Sequence, residues 1–142
     1  MSFLSIVNQL NLQTGDRLIR RKGPLSRHHG IFVENFDGTA LVAENQAGNG
    51  VQYVSLEDFL QGSSANLVNI VRFPGTEEAR QHVIMRINAL IGVQYDLVNF
   101  NCEHFAELIQ SGVATSLQVK NTLLGLAVLG LGIWALSSQR NR

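Results

Sequence analysis

Cysteine is almost missing from this chain. Cys102 is alone of its kind among 142 residues, which excludes an intrachain disulfide and a cysteine-rich zinc cluster. A lone thiol leaves three readings open: an inert core residue, a free surface thiol or a nucleophile. An excess of charge is missing too. Eleven Lys plus Arg meet eleven Asp plus Glu, so the positive surplus that phosphate backbones attract is absent and nucleic acid is not an expected partner. Charged residues make up 15% of the chain against 45% hydrophobic. At this length, that balance suits one domain with a substantial core. The first residues, MSFLSIVNQLNL, lack a basic start and a small-residue cleavage site, so they do not read as a secretory signal. With no such signal and one cysteine, the globular part is expected to face the cytoplasm.

What charge there is avoids one long stretch. From Asn121 to Gln139 there is none, and Leu123 to Leu136 (LLGLAVLGLGIWAL) is apolar or glycine throughout. Lys120 precedes the run, and Arg140 and Arg142 follow it. At about 1.5 Å per residue those fourteen residues reach roughly 21 Å as a helix, and the neutral flanks bring it near the lower limit of a membrane span. A core helix would show a polar face, and this one shows none. Trp134 stands where an interfacial aromatic would. The expected organisation is an N-terminal segment 1–11, a catalytic domain 12–118, and a hydrophobic membrane-anchor helix with a basic tail over 119–142. Whether that helix spans or only inserts is open.

The remainder reads as strands first and helices second. Arg17 to Arg20 is a short strand candidate after the Thr14-Gly15-Asp16 turn, and Arg20 to Pro24 a basic loop. His28 to Asn35 and Thr39 to Asn45 form a hairpin through Phe36-Asp37-Gly38. Val51 to Val54 and Leu67 to Phe73 are further strands, with a short helix from Leu56 to Leu60 capped by Ser55. Then the period changes. Thr76 caps a helix that runs to Gly92, and a second helix covers Cys102 to Gln110. The class is α+β: a small antiparallel sheet packed against helices.

Chemistry, if present, centres on Cys102 and a histidine. In Asn101-Cys102-Glu103-His104-Phe105 the asparagine can cap the helix, which places the thiol in the first turn, at the positive end of the dipole. Such a position lowers a thiol pKa. A buried, inert cysteine remains the plain alternative. Four histidines are available as a base. His82 lies among polar neighbours on a helix surface, and His104 faces away from Cys102 and suits a structural hydrogen bond. His28 and His29 open a strand and point to opposite faces, so one of them can approach the helix.

The segments His28-His29-Gly30-Ile31-Phe32-Val33, Asp37-Gly38 and Asn101-Cys102-Glu103-His104-Phe105-Ala106, with Gly15-Asp16 and Tyr95-Asp96-Leu97, resemble the lecithin–retinol acyltransferase family. That family lies within the NlpC-type papain-like cysteine enzymes. The resemblance covers about residues 12–120. It implies a circularly permuted papain-like fold, Cys102 as nucleophile and His28 as general base, with His29 where the family often carries an aromatic. A third polar residue on the next strand, commonly a second histidine, orients the base. This sequence departs there, since Ala40-Leu41-Val42-Ala43 is followed by Glu44 and Asn45. A two-residue turn puts His28 on one face with Asn45, and an odd-length loop puts it with Glu44. Family-like register and the better charge match favour Glu44, with Asn45 as the alternative.

The implied function is a thiol-dependent acyltransferase or phospholipase that acts on phospholipid acyl esters through a thioester, with no cofactor and no metal. Its partners are a phospholipid or other acyl ester and the membrane. Arg17, Arg20, Arg21, Lys22 and Arg27 could meet anionic headgroups. Two alternatives stand beside it: a cysteine peptidase or amidase of the same superfamily, and a catalytically inactive membrane-anchored adaptor.

Overall fold

The computed structural model describes residues 2–35 and 37–112. The hydrophobic helix and membrane anchor expected over 119–142 lie outside the described residues. Among the described residues, no helix is long and apolar enough to cross a membrane.

The fold is α+β. Five strands, β1 (Arg17–Lys22), β2 (Ser26–Glu34), β3 (Ala40–Gln46), β4 (Gly50–Ser55) and β5 (Leu67–Val71), form one sheet in the order β4-β3-β2-β1-β5. Each neighbouring pair is antiparallel. Alternation along the strands sends side chains to two apolar layers. Ile31, Val33 and Ala43 meet α3 (Glu77–Leu90) and α4 (Cys102–Ser111) through Val83, Ile87, Phe105 and Ile109. Leu18, Phe32 and Val42 meet α2 (Leu56–Phe59) on the other face through Leu56 and Phe59.

The N-terminal segment carries a helix: Phe3–Leu10 forms α1, capped by the Ser2 hydroxyl. Ile6 is buried, and Phe3, Val7 and Leu10 pack against the α2-side layer, a spacing of three and four that is a helical face. One expectation is corrected: the basic loop from Arg20 to Pro24 is displaced, since β1 continues to Lys22. Arg20 is inside the protein, at 5% exposure, with its guanidinium carbon 5.4 Å from the centre of the Phe59 ring. It shares a face with Leu18, and period-two alternation carries both inward.

Gly30 permits the strands to close here. A Cβ at this position would lie 2.4 Å from Val42 Cγ1 and 2.7 Å from Phe59 Cε2. Only the absence of a side chain lets β3 and α2 come this near to β2.

Candidate active site

The β2–β3 register decides which side chains meet. Glu34 pairs with Ala40 and Gly30 with Glu44, so residues 35–39 close the hairpin with an odd count. That parity puts Glu44 on the face of His28. The Glu44 Oε2 lies 2.7 Å from His28 Nε2, and the two side chains are 1% and 4% exposed. Gln52, opposite Glu44 on β4, donates from Nε2 to Glu44 Oε1 at 3.0 Å. Asn45 points the other way, and its Nδ2 donates to the Phe100 carbonyl at 2.8 Å. It ties β3 to the connector ahead of α4 and does not meet His28.

Cys102 opens α4. Asn101 Oδ1 accepts from the amides of Glu103 and His104, each at 3.0 Å, while His104 Nδ1 accepts from the Asn101 amide. His104 therefore serves the cap. The cap takes up the second and third amides of the helix and not that of Cys102 itself. His82 stands exposed on α3.

With Nε2 held by Glu44, the free face of the His28 ring is Nδ1, which is buried with no completed hydrogen bond. The Cys102 thiol is coupled to this ring. Burial pushes the His28 pKa down, but contact with the Cys102 sulfur and the Glu44 carboxylate outweighs it, and the net direction is up. For Cys102, burial raises the thiol pKa. The nearby His28 ring and His29 backbone amide, with the charges of His28 and Lys22, outweigh that and bring it down. Burial would raise Glu44, and the His28 and Gln52 hydrogen bonds, with the charge of Arg20, bring it down. All three directions favour carboxylate, imidazolium and thiolate together.

Two neighbours were not legible from spacing. His29 Nδ1 accepts from Arg17 Nε at 2.9 Å and contacts Nη2 at 2.6 Å. Burial and the adjacent Arg17 cation lower its pKa to about 4, so this ring stays neutral with its proton on Nε2. Arg20 donates from Nη1 to the Arg21 carbonyl at 2.8 Å, and its Nε is buried without a partner. Burial lowers the Arg20 pKa against the opposing pull of Glu44 and Cys102. The alternation of β1 would have sent Arg20 inward had the strand been drawn two residues longer.

Among the described residues no group of His, Cys, Asp and Glu is arranged to hold a metal ion.

Comparison with known proteins gives the following likenesses. The sequence model of the lecithin retinol acyltransferase family matches residues 11–115. Human phospholipase A and acyltransferase 3 is 40% identical over 57 residues, 39% of this chain and 35% of that protein. The Pongo abelii protein of the same name is 39% identical over the same length. Human phospholipase A and acyltransferase 5 is 34% identical over 76 residues, 52% of this chain and 27% of that protein. The chain thus spans about a third of the length of these curated relatives.

Proposed function

The chain belongs to the lecithin retinol acyltransferase family, and on that premise we propose that it is a cysteine-nucleophile acyltransferase or phospholipase acting on phospholipid acyl esters. One observation carries the reading. A helix-start thiol is coupled to a buried imidazole whose far nitrogen is held at 2.7 Å by a buried carboxylate. We propose with it the circularly permuted papain-like arrangement, which the chain order of His28 on β2, Glu44 on β3 and Cys102 on α4 supports.

In this reading the His28 Nε2–H donates to Glu44, so Nδ1 carries the lone pair and takes the Cys102 proton. The thiolate attacks the ester carbonyl, and the negative charge collects on the carbonyl oxygen. The Cys102 amide, left outside the Asn101 cap, supplies a donor for that oxygen. Collapse breaks the ester C–O bond. The leaving alkoxide takes the proton from His28, and a Cys102 thioester remains. In the second half, His28 removes a proton from the acceptor, which attacks the thioester and returns the thiol. Water as acceptor makes the reaction a phospholipase; an alcohol or amine makes it an acyltransferase.

The test is to incubate the full chain with acyl-labelled phospholipid, quench in acid and map the label. A thioester on Cys102 that Cys102→Ala abolishes is the expected result. Cleavage of a peptide substrate with no lipid adduct would select the amidase alternative, and neither signal would select the inactive adaptor.

A further inference from the structure

The three most exposed large apolar side chains among the described residues are Leu25, Val98 and Leu97, at 96%, 77% and 73%. All three stand beside the candidate site. Leu25 is at the tip of the β1–β2 hairpin. The register pairs Arg20 with His28, Arg21 with Arg27 and Lys22 with Ser26, so the tip extends past the imidazole by two residue pairs and the turn 23–25. Leu97 and Val98 lie on the loop closed by the Asp96–Phe100 bridge. That loop is built: Asp96 Oδ1 accepts from the amides of Val98 and Asn99, each at 2.9 Å. It is also fastened to the helix that carries the thiol, because Asn101 Nδ2 donates to the Leu97 carbonyl at 3.2 Å. Exposure of Leu97 and Val98 is therefore held in place by hydrogen bonds.

Charge completes the pattern. Between Asp16 and Glu34 there is no acidic residue, while Arg17, Arg20, Arg21, Lys22 and Arg27 fall there. Every residue from 21 to 27 is exposed, which sets Arg21, Lys22 and Arg27 around Leu25. Lys22 also reaches Cys102 electrostatically, so this collar borders the site. An apolar tip inside a basic collar matches a surface whose outer layer is anionic and whose next layer is hydrocarbon. A polynucleotide or an acidic protein would answer the cations and leave Leu25, Leu97 and Val98 in water.

We propose that the β1–β2 hairpin tip and the 96–100 loop form a docking rim that seats on an anionic phospholipid bilayer, with the mouth of the Cys102 site turned to the lipid. The choice of partner rests on the lipid-ester chemistry proposed above. The rim adds a selectivity that the active site alone lacks, favouring packed anionic lipid over dispersed ester.

The experiment uses the full chain with Leu25→Trp in a Trp134→Phe background, so that emission reports one position. An apolar run elsewhere in the chain can hold it on a vesicle without moving residue 25, whereas this reporter reads the hairpin itself. Phosphatidylcholine vesicles doped with phosphatidylglycerol are expected to shift the emission to the blue, less so as salt is added. Met85→Asp, on the exposed side of α3, is expected to leave that shift in place. Leu25→Asp should lower the ratio of turnover on these vesicles to turnover on a monomeric short-chain ester by about tenfold, the scale of one leucine withdrawn from lipid. Emission that does not move with vesicles overturns the proposal. So does emission already shifted before lipid is added, or shifted by heparin and not by vesicles. Trapping the Cys102 thioester in parallel keeps the two readings apart. A lipid shift without a thioester retains the rim and removes the chemistry; a thioester without a shift does the reverse.

Discussion

Glu44 Oε2 lies 2.7 Å from His28 Nε2 with both side chains almost wholly buried, and this pair sets the tautomer and charge of the ring. A buried carboxylate without its partner would be costly, and so would a buried imidazolium. Each is the reason the other can be charged.

Glu44→Gln removes the charge and keeps the shape. The carboxylate raises the His28 pKa, so its loss lowers it. The alkaline limb of kcat/KM, where the imidazolium loses its proton, then moves to lower pH. The acidic limb moves up, because a thiolate without a firm imidazolium is less stable. The profile narrows from both sides, and its maximum falls by about one to two orders of magnitude, the worth of a hydrogen bond to a charged group. An unchanged profile would remove Glu44 from the site.

The same pair makes a prediction about folding. Glu44 is lowered in the folded state, so its contribution is present above the ordinary carboxylate range and lost as pH falls through the lowered value. His28 is raised, so its contribution is present below the ordinary imidazole value and lost as pH rises through the raised one. The difference in Tm between the parent chain and Glu44→Gln should therefore be widest between those two limits and shrink on either side. Thermal melts across pH measure it directly.

Arg20 is a buried cation whose Nε lacks a partner and whose charge acts on both Glu44 and Cys102. Arg20→Met should raise the pH midpoint for alkylation of Cys102 by iodoacetamide, with Arg20→Lys restoring part of the shift. Because a buried guanidinium is expensive to desolvate, the methionine variant should keep its Tm or gain. A drop in Tm with no change in the alkylation midpoint would make Arg20 a packing residue only.

Gly30→Ala puts a methyl 2.4 Å from Val42 Cγ1 and 2.7 Å from Phe59 Cε2. Overpacking of this kind costs about 1–3 kcal/mol. Denaturant midpoints should show the loss, and the shift of Phe59 should carry into activity because His28 lies 5.6 Å from the same ring.

Arg17→Met tests the second histidine. His29 should titrate at about 4 in the parent chain, and loss of the adjacent cation should raise that value while burial still holds it below the ordinary imidazole range. Ring-proton NMR across pH reads both.

Much of the molecule was legible from local pattern. The Thr76 and Asn101 caps, the switch from period two to period three and four, and the thiol in the first turn of a capped helix are all written within a few residues of one another. Local hydrogen bonds and side-chain periodicity act over that range, so the order of strands and helices from β1 to α4 could be read directly. What the chain alone left undecided were questions of long range. Whether His28 meets Glu44 or Asn45 depends on the parity of a hairpin closure, because one residue more or less in residues 35–39 turns every side chain of β3 to the opposite face. Whether Arg20 stands in water or lies over Phe59 depends on α2, thirty-six positions away at Leu56, folding down on that side of the sheet. Register and cover are properties of the assembled sheet, set by the joint burial of both layers, and only the tertiary structure could decide them.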